Sequence, residues 1–146
     1  MSIVLTMMVR DERDIVACNI AHHLGQGVSE VIVTDNGSVD GTRDLLADLA
    51  RTMPLTIIDE PPSDWAQGRW VTRMARMAHD RFHARWVING DADEFFTAPG
   101  SSLKAVLDGA PPIAISCGSR ATISSRSIGR IARRRRSRCS IASATR

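Results

Sequence analysis

Apolar and polar positions alternate in blocks over the first 117 residues, and each block has the length or the spacing of a strand or of one helix face. Residues 3–9 form a nearly continuous apolar run, the pattern of a strand buried on both faces. Arg10-Asp11-Glu12-Arg13-Asp14 comes next as a polar turn, with Asp11 placed to cap a helix beginning at Glu12 and Asp14 as its reciprocal partner. Val16, Ile20 and Leu24, with Ile15 alongside, recur at four-residue spacing and predict a helix that ends at Gly25 and Gly27. His22 and His23 fall near its end, where a surface or half-buried position is expected. Val31-Ile32-Val33-Thr34 predicts a second strand, and Leu45, Leu46 and Leu49 a second helix capped by Asp40 or Thr42. A third strand over residues 55–59 is stopped by Glu60-Pro61-Pro62. A helix from about Arg69 to Phe82 carries Trp70, Met74 and Met77 inward and Arg69, Arg73 and Arg76 on a neighbouring face. Trp86-Val87-Ile88 reads as a fourth strand, with the chain changing direction at Gly90. Ser101 or Ser102 is placed to cap a short helix bearing Leu103, Val106 and Leu107, and residues 113–117 read as one more strand. Strictly alternating strands and helices predict an α/β fold with a mostly parallel sheet flanked by helices.

A chain of 146 residues is long enough for one domain with a sizeable core and too short for two. No apolar run has the length of a membrane span, and the first strand lacks the basic start of a leader. Cys18, Cys117 and Cys139 are odd in number and widely spaced, which suggests neither a disulfide framework nor a zinc motif. A reducing cytoplasm is the expected location.

The net charge of +3 conceals two compositions. Residues 1–119 hold ten basic side chains against all sixteen acids, a net of −6, whereas residues 120–146 hold nine arginines and no acid. This division implies a domain over residues 1–117 and a separate Arg/Ser-rich segment over 118–146. The basic segment shows no periodicity, so it is expected to be a disordered tail or the product of a shifted reading frame near residue 118. Its arginines would neutralise phosphates, but no aromatic is interleaved to stack on bases, which argues against nucleic acid as the partner.

Chemistry concentrates at Asn89-Gly90-Asp91-Ala92-Asp93-Glu94-Phe95-Phe96, where an apolar strand ends in three carboxylates within four positions. Open α/β sheets bind ligands beyond the carboxyl ends of their strands, so an Asp-x-Asp there is placed to meet one. Brought together by a turn, Asp91 and Asp93 would converge on a hard cation such as Mg²⁺ or Mn²⁺. A solvated acidic turn is the alternative, although Phe95 and Phe96 suggest that the turn is held against a core. The second informative stretch is Asp35-Asn36-Gly37-Ser38-Val39-Asp40-Gly41-Thr42, directly after the second strand. Asp35 could accept hydrogen bonds from a ribose or base, or close its own turn. Gly37 and Gly41 form neither a dinucleotide fingerprint nor a P-loop, which sets hydride transfer and P-loop hydrolysis aside.

Taken with Met7-Met8-Val9-Arg10-Asp11-Glu12, these two stretches resemble glycosyltransferase family 2, which has the GT-A fold, over about residues 3–115. The resemblance implies a transferase that moves a sugar from a nucleoside diphosphate donor to an acceptor hydroxyl. Val9 and Glu12 would then lie near the donor's nucleoside, and Asp35 would contact its base or ribose. Asp91 would contact the ribose or the metal-bound phosphates, and Asp93 would be the principal Mn²⁺ or Mg²⁺ ligand. In the family the general base comes from a region after the Asp-x-Asp. Residues 109–146 contain no Asp or Glu, so the expectation is an incomplete GT-A domain, its donor-binding half, with the base unassigned and the acceptor (saccharide, lipid or protein) unspecified. The competing expectations are a nucleic-acid binder acting through its arginines and a structural fragment completed by a partner chain. A nucleotidyltransferase or an Asp-x-Asp phosphatase would need different residues after the first strand, where Arg10-Asp11-Glu12 stands.

Overall fold

The first apolar run becomes strand β1 (Ile3–Val9), and it occupies the interior of a sheet because it has apolar side chains to offer both faces. The structure, a computed structural model, describes residues 2–61 and 67–109, and the backbone of 132–135. After β1 come α1 (Val16–Gly25), β2 (Glu30–Asp35), α2 (Thr42–Leu49), β3 (Leu55–Asp59), α3 (Gln67–Phe82), β4 (Trp86–Asp91), β5 (Glu94–Thr97), α4 (Leu103–Asp108) and β6 (Ala132–Arg135). Four strands form one sheet in the order β3-β2-β1-β4, every neighbouring pair parallel. This is the mostly parallel α/β sheet flanked by helices that the alternation of elements predicts. Among the described residues no helix is long and apolar enough to cross a membrane.

Strand periodicity divides the interior in two. Ile3, Leu5, Met7 and Val9 of β1, Val31 and Val33 of β2, and Trp86 and Ile88 of β4 pack with Val16 and Ile20 of α1, Leu46 of α2 and Leu103 and Leu107 of α4. The intervening positions Val4, Ile32 and Val87 face Met74 and Ala78 of α3. A parallel sheet covered on both sides exposes no strand face to water, which accounts for runs that are apolar throughout. The hydroxyl of Thr6, buried mid-strand, satisfies itself by donating to the Asn89 side chain at 3.1 Å.

Two local expectations are corrected. Asp11 does not cap α1, which begins at Val16 with no side-chain cap on Ile15. Instead Asp11 adopts φ +57°, and its carboxylate accepts from the amides of Val39 at 2.7 Å and Asp40 at 3.3 Å in the loop after β2. Nor does the chain turn at Gly90, since β4 continues through it to Asp91 and the turn falls at Ala92-Asp93. Gly90 is needed for a different reason: a Cβ there would lie 2.7 Å from Cε2 of Phe96, whose ring packs over the strand.

Other caps obey the residue chemistry. Ser102 Oγ accepts from the amide of Ala105 at the start of α4. At α2 the N-cap is Gly41 at φ +90°, and Asp40 reaches past it to accept from the Thr42 amide at 2.9 Å. β6, from the basic segment, pairs antiparallel with β5, Glu94 opposite Arg135 and Thr97 opposite Ala132. The expected strand over 113–117 lies outside the described residues.

Leu5, fully buried on the central strand, tests this account of the core. Leu5→Ala should lower the unfolding free energy by about 2–5 kcal/mol, read as a shift in urea midpoint at unchanged slope.

Candidate functional site

Parallel register brings three strand ends to one edge. Met8 of β1 stands opposite Asp91 of β4, and Val9 opposite Asp35 of β2, so the loops leaving these three strands start side by side. Immediately beyond β4, the Ala92-Asp93 turn folds β5 back, and carboxylate oxygens of Asp91, Asp93 and Glu94 come within 4.8 Å of one another. Their settings differ: Asp91 is exposed, Asp93 half-buried and Glu94 buried. Glu94 contributes to the turn itself, since its Oε2 accepts from the Asp91 amide at 3.2 Å.

The turn is gripped from α1. Asn19, fully buried, donates through its amide nitrogen to the carbonyls of Ala92 and Glu94, both at 2.8 Å. His23, one helical turn on, receives the Phe96 amide at Nε2 at 3.1 Å, while its Nδ1 meets the Asn19 backbone and side-chain oxygens at 2.9 Å. His22 Nε2 lies 2.9 Å from the Phe96 carbonyl. The sequence places both histidines at or near the surface, yet His23 has no exposed area and is boxed in by Phe95 and Phe96. Burial pushes its pKa from the ordinary 6.5 down to about 4, against the favourable backbone contact from Asn19, with His22 adding to the fall.

A cavity of about 380 Å³ opens in front of the acids, walled by Val9, Glu12, Asn36, Trp70, Asp91 and Asp93, with Arg10 at its rim. Burial raises the Glu12 carboxyl above the usual range, and the charges of Asp14, Asp93, Asp40 and Asp91 raise it further. The cavity is therefore a concentrated negative field, the environment in which a cation is favoured and a bare phosphate is not.

Glu12 is presented by two interlocked loops. Its amide donates to Thr42 Oγ1 at 2.9 Å, the Arg13 amide to Asp40 at 3.1 Å, and the Asp11 amide to Ser38 Oγ at 3.0 Å, complementing the bonds Asp11 accepts in return. Asp35 belongs to this clasp, not to the cavity wall. Its carboxylate accepts from both the amide and the hydroxyl of Ser38. Its neighbour Asn36, 1 % exposed, bonds to the Val9 carbonyl through its amide at 3.0 Å, and its side-chain amide group has no hydrogen-bond partner.

Of the site residues expected from sequence, Val9, Glu12, Asp91 and Asp93 are thus brought around one cavity, and Asp35 stands behind it. Sequence reasoning assigns no site role to Glu94, Asn19, His23 or Asn36. Glu94 carries a signal in its adjacency to the Asp-x-Asp, whereas Asn19 lies some seventy positions from the carbonyls it holds and carries none. The arginines of α3 remain apart: Arg69, Arg73 and Arg76 line a separate groove, and Arg73 pairs with Glu60 at 2.6 Å.

No protein-family model and no curated protein sequence matches the chain. Solved structures do. The crystal structure of S. aureus TarS 1-349 superposes with a TM-score of 0.55 at 14% identity, over 74% of this chain and 31% of that one. The crystal structure of S. aureus TarS superposes at 0.58 and 15% identity, over 74% of this chain and 19% of the other. The chain thus spans less than a third of the length of these relatives, and at such identity the likeness is one of fold: an α/β domain with a mostly parallel, helix-flanked sheet.

The buried neutral His23 sets a pH dependence whose sign is fixed. With its pKa depressed on folding, the unfolded chain takes up the proton first, so stability is complete above about pH 6.5 and falls as pH drops toward 4. The loss from this group should reach about 3 kcal/mol at most. Urea unfolding across that window should show the decline, and His23→Gln should flatten it.

Proposed function

We propose that this chain is the donor-binding part of a glycosyltransferase of the family 2 type, transferring a sugar from a nucleoside diphosphate donor to an acceptor hydroxyl. The observation that carries the proposal is the convergence of Asp91, Asp93 and Glu94 at the carboxyl end of β4, facing a cavity that Glu12 and Val9 also line. Support comes from the fold, which resembles TarS, a family 2 glycosyltransferase.

The donor set suits a divalent ion. Carboxylate oxygens are the ligands of choice for Mg²⁺ and Mn²⁺, and two or three of them leave coordination positions for phosphate and water. Asp93 and Asp91, the Asp-x-Asp pair, would hold the ion, with the buried Glu94 behind them. Bound there, the ion supplies Lewis-acid stabilisation of the charge that gathers on a departing diphosphate. The protein's own contribution is position: Val9 and Glu12 border the nucleoside, and Asp91 stands at the junction of ribose and phosphates. Asp35 acts through the Ser38 turn, which brings the loop carrying Asn36 to the cavity wall. No described residue is assigned to the acceptor's proton.

Titration calorimetry tests the proposal. In the presence of Mn²⁺ the chain should bind nucleoside diphosphates, and Asp93→Ala should weaken that binding by about tenfold or more. A folded chain that gives no heat with any nucleoside diphosphate and Mn²⁺ would sink it.

A further inference from the structure

The acidic turn has a shape that its own sequence does not enforce. Asp91-Ala92-Asp93-Glu94 contains no proline, and its one flanking glycine, Gly90, lies within β4. What holds the turn is a side chain from a distant helix. The two N–H groups of the Asn19 amide match the two carbonyls at 2.8 Å, Ala92 and Glu94, and the Asp91 carbonyl lies at 3.5 Å on the same nitrogen.

The direction of that amide is settled by bonds around it. The Phe96 N–H can only donate, so His23 Nε2 is an acceptor and carries no proton. In a neutral ring the proton is then on Nδ1, which faces Oδ1 of Asn19 at 2.9 Å. Oδ1 is therefore the accepting atom, and the NH₂ group must point at the carbonyls of the turn. A single chain of donors and acceptors runs from β5, through the helix α1, back to the residues between Asp91 and Glu94.

We propose that Asn19, oriented by His23, is the positioning residue that sets the geometry of the cation site. Bending the turn so that the carboxylate oxygens of Asp91, Asp93 and Glu94 converge brings like charges together, which opposes the turn until a cation arrives. Two carbonyls fixed from behind counter that repulsion without touching the cation. Asn19 is separated from solvent and from the cavity, so its influence passes only through the backbone of the turn. The inference rests on the cation reading of the acidic turn for its functional consequence, whereas the clamp itself is a property of the polypeptide.

Two measurements on the full chain separate these. The first is Mn²⁺ affinity, monitored by the electron paramagnetic resonance of the free ion. Asn19→Leu, which keeps the volume and removes the amide, should weaken Mn²⁺ binding by about tenfold to a hundredfold. Leu46→Ala, a buried change on α2, should lower stability and leave Mn²⁺ affinity unaltered. The second is amide hydrogen exchange of the metal-free chain, in which Asn19→Leu should speed exchange over residues 91–96 while β2 stays protected. Unaltered Mn²⁺ affinity in Asn19→Leu overturns the proposal, as does an equal loss in Leu46→Ala. If the wild-type chain binds no Mn²⁺, the cation reading fails and the positioning role falls with it. Exchange then decides the clamp alone: faster exchange over 91–96 upholds it as a device of the fold, and unchanged exchange removes it.

Discussion

Two-sided burial of β1 is the constraint on which the rest of the molecule depends. A strand with helices against both faces has no place for a charge along its length, because an ionised group there would be stripped of water with nothing to replace it. Thr6 is the limit of what the strand body tolerates, and its hydroxyl needs the Asn89 side chain. Carboxylates are thereby driven to the strand ends. Parallel pairing then places the ends of β1, β2 and β4 along one edge, and the acids collect where the sheet stops. Crowding shows in Glu12, whose carboxyl is raised first by burial and then by four neighbouring acids.

The return of β5 over β4 turns that crowding into a definite shape. Phe96 lies so close to Gly90 that any side chain there would collide, and Phe95 packs against both histidines of α1. Packing of Phe95 and Phe96 on the histidine rings and hydrogen bonds to Asn19, His22 and His23 together hold β5 against α1. The acidic turn that precedes this anchored strand is left facing the cavity. Structural resemblance to a TarS fragment agrees with this arrangement at the level of fold, and the chemistry of the site stands on its own side chains.

Local periodicity makes the sheet and its helices legible. The strands at 3–9, 31–34 and 55–59, the helix ending at Phe82 and the Ser102 cap all depend on neighbours within a few positions, which is the range that sequence patterns report. The misreadings have the opposite character. Asp11 resembles a cap because an acid before a helix usually is one, but it serves a loop nearly thirty residues away. Gly90 resembles a turn because glycine often makes one, yet it answers to the ring of Phe96. His23 and Asn19 sit on what reads as the end of an amphipathic helix, and only the packing of β5 against α1 shows that this polar pair is interior. Asp35, whose position in the sequence allows either ligand contact or turn closure, is engaged by Ser38, a bond three residues away that the turn composition permits.

The interlocking of the loops after β1 and β2 has a further bearing on how this protein can vary. Surface connections ordinarily accept extra residues with little penalty, because each closes only on itself. Here Asp11 is completed by the amides of Val39 and Asp40, and Arg13 by the carboxylate of Asp40. Lengthening either connection would strip partners from the other and carry Glu12 away from the cavity. The two connections are thus coupled in length, and a change in one has to be matched by a change in the other for these bonds to survive.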